Sequence, residues 1–182
     1  MTSPSKKIVT AIVIAIALVS LIAKTFFVGF YRIPQNGMYP GLPAGSRVFA
    51  ARHAYSDPAG VERGDIIVFI HEENGQRYNY IWRVIGLPGE SVVATGESLT
   101  VNGQTVQRQR VRDADGKTVY REQIGEASYE VAFETSPLHT PPDVSLKVPS
   151  DQFFVMGDNR FDARDSRYFG TISFSSIIGK KL

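Results

Sequence analysis

The chain lacks cysteine entirely over its 182 residues. This absence excludes disulfide bonds, thiol catalysis and zinc–thiolate centres. Histidine is limited to three scattered residues, and no spacing typical of metal ligands appears, so we predict no metal and no other cofactor. Net charge is also small, at +2, with lysines and arginines spread along the chain. A nucleic-acid partner is therefore not expected.

Long apolar stretches are limited to one, near the N-terminus. Residues 8–23 carry no charge, follow Lys6 and Lys7, and end at Lys24. The run is slightly shorter than the roughly 20 residues of a membrane span, but a terminal lysine can reach the headgroups. Basic residues in front favour a cytoplasmic N-terminus. We predict that residues 1–30 form a cytoplasmic stub and a single-pass anchor in the cytoplasmic (inner) membrane, with the rest on its extracytoplasmic, or periplasmic, side.

A cleaved signal peptide is the alternative interpretation of this N-terminus, because a basic start and an apolar core suit both. No clear small-x-small cleavage site precedes a polar start of a mature chain. The run continues into aromatic residues instead, which favours an uncleaved anchor.

Helical periodicity is missing beyond residue 30. Short β-branched and aromatic runs bounded by Gly, Pro and Asn-Gly signals take its place, namely SRVFAAR, GDIIVFIH, YNYIWRVIGL, ESVVAT, SLTVNGQTV, QFFVMGD and TISFSSII. The Asn102-Gly103 pair predicts a hairpin. The fold class predicted is mainly β, an antiparallel sheet domain behind one transmembrane helix.

The composition changes in the middle of this domain. Residues 107–148 are polar and rich in turn formers, and Asp115-Gly116 and Gly125 predict one or two hairpins there. We therefore predict a β core made of residues 31–106 and 149–182, with a smaller inserted lobe at 107–148.

Four segments form an ordered pattern along the chain. They are RIPQNGMYPGLPAGSRV, RGDIIVF, YIWRVIGLPGE and FFVMGDNRFDARDSRYFG. The last is the most specific, because Gly-Asp-Asn-Arg, Asp-Ser-Arg and Phe-Gly follow one another at fixed offsets. Together they resemble the bacterial signal peptidase I family, membrane-bound Ser/Lys-dyad endopeptidases that remove signal peptides from secreted precursors. The resemblance runs from the apolar stretch to the C-terminus and is poor only in the insert.

This resemblance implies a serine nucleophile, a lysine base, a serine that orients the lysine and a hydroxyl that stabilises the oxyanion. The corresponding positions hold Gly37, Trp82, Ala163 and Gln35. A serine nucleophile needs a base, glycine has no side chain, and the indole nitrogen only donates. We predict that no catalytic site is intact.

The residues that frame the site are retained. By resemblance, the structural positions near the site are Arg83, Asp158, Asn159, Arg160, Asp165, Ser166 and Arg167. The expected substrate-binding positions are Ile33, Met38, Pro40 and Trp82. The sequence thus keeps groups that hold the fold and lacks those that perform the reaction.

The leading functional prediction is a membrane-anchored pseudopeptidase that still binds signal-peptide-like extended segments. Expected partners are membrane lipid and either signal peptides of precursor proteins or an active signal peptidase. One alternative is an active signal peptidase with an unrecognised nucleophile. Ser46 is the nearest downstream serine, but nine residues of extended chain can place it far from the site. His53, His71 and His139 are interpreted as surface or loop residues.

A second alternative is a membrane-anchored structural or interaction module in secretion or surface assembly. This alternative predicts that bulky side chains such as Trp82 and Gln35 fill the cleft. Trp82 itself has two interpretations. It is an ordinary core tryptophan of a β protein, or its ring fills the space of the long lysine side chain and narrows the substrate pocket.

Overall fold

The N-terminal apolar run forms a helix in the computed structural model, which describes residues 4–182. This helix, α1, extends over Pro4–Phe27. Over the described residues, no helix reaches the length and hydropathy that a bilayer crossing requires. The first three residues of the predicted cytoplasmic stub lie outside the described part of the chain.

Alternating apolar positions after residue 27 form antiparallel strands, which confirms the mainly β fold class. The bounds of the strands are β1 Val28–Arg32, β2 Arg47–Ala51, β3 Ile66–Glu73, β4 Gln76–Gly86, β5 Ser91–Thr95, β6 Ser98–Val101, β7 Gln104–Thr105, β8 Gln107–Ala114, β9 Lys117–Ile124, β10 Ala127–Glu134, β11 Val144–Lys147, β12 Gln152–Met156, β13 Ile172–Ser173 and β14 Ile177–Lys181. Short 3-10 turns occupy Pro58–Gly60 and Phe174–Ser176.

The largest sheet has seven strands in the order β1-β2-β14-β3-β4-β12-β13. Its buried side chains form one apolar core, which includes Ile67, Phe69, Val84 and Phe153. The outer strand β2 alternates buried and exposed positions. In the central strand β12 both faces are buried, because Phe153 and Val155 pack in this core and Phe154 and Met156 pack in a second one. The sheet brings β1, from the start of the domain, and β12, from its end, into one layer.

Two smaller sheets complete the domain, and the predicted hairpin turns all lie in them. Asn102 and Gly103 turn β6 into β7, with φ of 50° and 77°. Asp115 and Gly116 turn β8 into β9, and the chain turns again at Gly125 before β10. These left-handed positions suit Asn, Asp and Gly. Both predicted hairpins of the insert are confirmed, and they share β9.

Two features differ from the sequence prediction. β11, expected within the inserted lobe, pairs with β5 in a four-stranded sheet of order β11-β5-β6-β7. Register pairing between distant segments is not visible in a local sequence pattern, which is why this pairing was not predicted. A short helix α2, Ser166–Phe169, also forms where no helix was expected. Its N-cap is Asp165, whose side chain accepts a hydrogen bond from the Arg167 backbone N–H.

Candidate functional site

A cleft of about 560 Å³ lies between β1 and β4. Among the described strands, β1 pairs only with β2. On its side away from β3, β4 pairs with β12 only within residues 83–86. The two walls therefore present strand edges whose backbone groups have no strand partner. The described lining residues are Phe30, Tyr31, Arg32, Ile33, Pro34, Gln35, Gly37, Met38, Glu73, Asn74, Tyr78, Asn79, Tyr80, Ile81 and Trp82.

Trp82 lies at one end of this cleft, directly over Gly37. Its side chain is buried, with 8% exposed. A β-carbon added to Gly37 would lie 2.6 Å from Cζ3 of the indole ring and closer still to Cη2. No real β-carbon tolerates such a separation. Position 37 must be glycine because of this ring, not because of a left-handed backbone.

Gly157 lies close to the same end of the ring, beside Ala163 and the Gly37 carbonyl. A β-carbon on Gly157 would lie 3.0 Å from Cζ3 of Trp82 and 2.6 Å from the Gly37 carbonyl oxygen, and it would overlap Cβ of Ala163. Glycine at residues 37 and 157 thus leaves room for the indole, which packs in one apolar core with Ala163. Positions 37, 82 and 163, which correspond to nucleophile, base and base-orienting serine, lie together in space, filled by packing rather than by polar groups.

The loop of Gly37 is fixed to the loop that follows β12. The Asn159 backbone N–H donates to the Gly37 carbonyl at 3.0 Å. The Asn159 side-chain amide donates to the Asn36 carbonyl at 3.1 Å and to Asp162 at 3.2 Å. The first and last segments of the sequence pattern therefore meet at this end of the cleft.

Buried ion pairs support both loops. Arg83 donates from Nε and Nη2 to Asp158 at 2.7 and 2.6 Å. Burial alone would lower the pKa of Arg83, but the Asp158 carboxylate outweighs it and raises that pKa. Asp165 accepts two hydrogen bonds from the Arg167 side chain, at 2.8 and 2.7 Å, and one from the Gly157 N–H at 2.9 Å. The Ser166 hydroxyl accepts from the Val155 N–H at 2.9 Å.

A further ion cluster joins the insert to this framework. Glu122, on β9, is completely buried. It accepts from Nη1 of Arg160 at 2.7 Å, from Nη2 of the same guanidinium, and from Nε of Arg108 at 2.7 Å. Burial would raise the pKa of Glu122, but Arg160 and Arg108 together lower it below its ordinary value. Glu122 was not predicted from the sequence. The available signal was its position two residues before Ile124, which places both side chains on the same, buried face of β9.

The structure brings most of the predicted substrate-binding residues to the cleft. Ile33, Met38 and Trp82 line it, as do Gln35 and Gly37 from the catalytic positions. Pro40 is half-buried and does not line the cleft, and Ala163 packs in the same apolar core as Trp82 without lining the cleft. Phe30 and Tyr31, from the segment FFVGFY that the sequence also offers as a cleft wall beside Met38, line the cleft. Tyr78 and Tyr80 complete this aromatic wall and were not predicted, because strand register decides which residues face the cleft.

Serine, threonine, lysine and histidine are all missing from the described lining of the cleft. Ser46 lies outside it; His53 and His139 are exposed, and His71 packs on Phe169. The hydroxyls that do line the cleft belong to tyrosines, and that of Tyr80 donates a hydrogen bond to the Glu73 carboxylate at 3.1 Å. Burial and this hydrogen bond raise the pKa of Tyr80, so its phenol stays protonated and is a poor nucleophile.

Comparisons with known proteins agree with the sequence pattern. The family model described as "Signal peptidase, peptidase S26" matches residues 5–182. Signal peptidase I of Pseudomonas aeruginosa is 31% identical over 194 residues, covering 91% of this chain and 67% of that protein. Signal peptidase I U of Bacillus subtilis is 31% identical over 178 residues, covering 96% and 86%.

The chain therefore belongs to the peptidase S26 family of signal peptidases. Its similarity is to the type I signal peptidases of that family, which confirms the resemblance found in the motifs. A crystal structure of a signal peptidase I from Enterococcus faecalis is 29% identical, with a TM-score of 0.44, covering 66% of this chain and 95% of that one.

Proposed function

We propose that this protein is a pseudopeptidase that binds an extended, signal-peptide-like segment along its cleft without cleaving it. The observation that carries the proposal is the combination of two unpaired strand edges with the interlocked pair Gly37 and Trp82. The edges supply a binding surface, and the interlocked pair stands where nucleophile and base would be.

The binding half of the proposal rests on the walls of the cleft. An extended peptide adds to a free strand edge through backbone hydrogen bonds, and side pockets select its side chains. Here β1 and β4 offer such edges on both sides, and Ile33, Met38 and Tyr80 make the walls apolar. An open cleft of this kind argues against a purely structural module, which expects Trp82 and Gln35 to fill it.

The proposed lack of cleavage is argued from the groups that acyl transfer requires. A hydroxyl nucleophile requires a base within hydrogen-bond reach. The described lining residues contain neither a serine nor a threonine, and no lysine or histidine. An active peptidase with a hidden nucleophile therefore gains no support from the cleft.

We further propose that α1 anchors the protein in the cytoplasmic membrane, with the β domain on the extracytoplasmic side. Ile8, Ile12 and Ile16 of α1 expose more than half of their surface, which a lipid environment would cover. In that setting the partners are membrane lipid and either precursor signal peptides or an active signal peptidase. Carbonate extraction of membranes tests the anchor, because an anchored chain stays in the pellet and a peripheral one is released.

A cleavage assay tests the main proposal. The full chain in detergent is incubated with a precursor bearing a standard signal peptide, beside the variant Gly37→Ser/Trp82→Lys/Ala163→Ser. The variant changes all three positions because a serine under the ring of Trp82 would collide with it. We expect wild type to be inactive and the variant to cleave at the small-residue site.

The matched control is Gly37→Ala/Trp82→Lys/Ala163→Ser, which has the same packing without the nucleophilic hydroxyl. It should bind and not cleave. Cleavage by wild type would refute the inactive assignment, and failure of a labelled signal peptide to bind wild type would refute the binding assignment.

A further inference from the structure

Arg32 gives the cleft a charge that the fold does not neutralise. Among the described residues that line the cleft, Arg32 and Glu73 are the charged ones. We propose that Arg32 is a specificity-determining residue that selects an extended segment carrying an acidic side chain. This inference rests on the proposed function, since it concerns the ligand of the same cleft.

The strand register places a second arginine directly across from Arg32. Arg32 of β1 is paired with Arg47 of β2. Both are exposed, and neither has an ion-pair partner among the described residues. Like charges directly opposite each other on a sheet are destabilising. The fold therefore gains nothing from this pair, and an anionic ligand group would relieve its repulsion.

Glu73, the acid of the cleft, is already neutralised. One carboxylate oxygen forms an ion pair with Arg164, and the other accepts the hydroxyl hydrogen bond of Tyr80. Its charge is thus balanced within the protein, whereas that of Arg32 is not. Of the two charged residues that line the cleft, only Arg32 therefore lacks an ion-pair partner in the described part of the chain.

An acidic peptide side chain fits this arrangement better than other anions. Arg32 lies on an unpaired strand edge, directly between the lining residues Tyr31 and Ile33. A segment added to that edge places alternate side chains at regular intervals along it. One of these side chains can reach the guanidinium while its neighbours contact apolar walls, which a free phosphate or a lipid headgroup would not do.

Binding of three matched peptides to the full chain in non-ionic detergent tests the inference. The probes are fluorescein-labelled Ala/Val-rich peptides of about ten residues, longer than a typical strand, with a central aspartate, serine or lysine. We expect the aspartate peptide to bind about fivefold more tightly than the lysine peptide at low salt, as a solvent-exposed ion pair allows. The preference should shrink at high salt, because exposed charges are screened.

Variants then assign the preference to Arg32. Arg32→Glu should reverse the order of the peptides, and Arg32→Gln should abolish it. Arg32→Glu should also melt at or above the wild-type temperature, because the introduced carboxylate faces Arg47; a merely structural role predicts a loss of stability instead. Lys147→Glu changes an exposed charge outside the cleft lining and is the matched control, expected to keep the wild-type order.

The outcomes separate this inference from the proposed function. Equal binding of all three peptides by wild type, or an unchanged order in Arg32→Glu and Arg32→Gln, overturns the role of Arg32 and leaves peptide binding standing. Absence of binding for every peptide overturns the proposed function itself.

Discussion

The end of the cleft around Gly37 and the ionic framework beneath it lie within a few residues of each other and differ in what they retain. At Gly37, Trp82 and Ala163, polar groups expected from the family pattern are replaced by a ring packed against small residues. In the framework, Arg83 with Asp158 and Arg167 with Asp165 stay paired and buried.

The difference separates the polar residues that the reaction needs from those that the fold needs. Two of these buried ions also hold backbone, since Asp165 accepts the Gly157 N–H and Arg83 donates to the Gly64 carbonyl. Removing one member would strand its partner in the interior, which is strongly destabilising. A catalytic hydroxyl or amine has no such structural duty, so it can be exchanged for apolar packing once the reaction is not required.

Removal of a framework carboxylate should give the largest effect. In Glu122→Ala, Arg160 remains buried without its main partner, and the free energy of unfolding should fall by about 3–5 kcal/mol. Urea denaturation measures it. Glu97→Ala, at an exposed turn, is the control and should change stability by less than about 0.5 kcal/mol. Similar losses in both variants would break the distinction between framework and surface charges.

The same carboxylate should make stability depend on acidity. Because its guanidinium partners lower the folded-state pKa of Glu122 below the ordinary 4.5, its contribution is present above that pH and disappears as the pH falls through the folded-state pKa. Urea midpoints measured from pH 6 down to about pH 3 should decline for wild type, and Glu122→Gln should decline less steeply. Parallel curves would contradict this assignment.

A smaller loss of stability is expected from substitutions at the contact between Gly37 and Trp82. Gly37→Ala places a β-carbon against Trp82 and should cost about 1–3 kcal/mol of stability, as overpacking does. In a Trp82→Leu background the same change should cost far less, so a double-mutant cycle should show a strong coupling. Gly41→Ala, whose β-carbon would meet nothing within 4 Å, is the control. If the stability losses of the two single variants simply add in the double variant, the ring of Trp82 is not the reason for glycine at residue 37.

Local patterns were sufficient for the strands and hairpins because period-two alternation and Asn-Gly turns act over a few residues. The cleft depends on longer-range information. That β1 and β4 leave edges unpaired follows from sheet order, and the pairing of β11 with β5 crosses some 50 residues. Residue-by-residue comparison with the family pattern singled out Gly37, Trp82 and Ala163. Only the coordinates show that the ring of Trp82 excludes a side chain at residue 37.

The contact between Trp82 and Gly37 also constrains how this lineage can change. A single substitution that restored serine at residue 37 would meet the indole before it could meet a substrate. A single substitution that restored lysine at residue 82 would leave an amine beside a residue with no hydroxyl to activate. Under the proposed function, neither single substitution would restore cleavage, so the contact between Trp82 and Gly37 would hinder a stepwise return to peptidase activity.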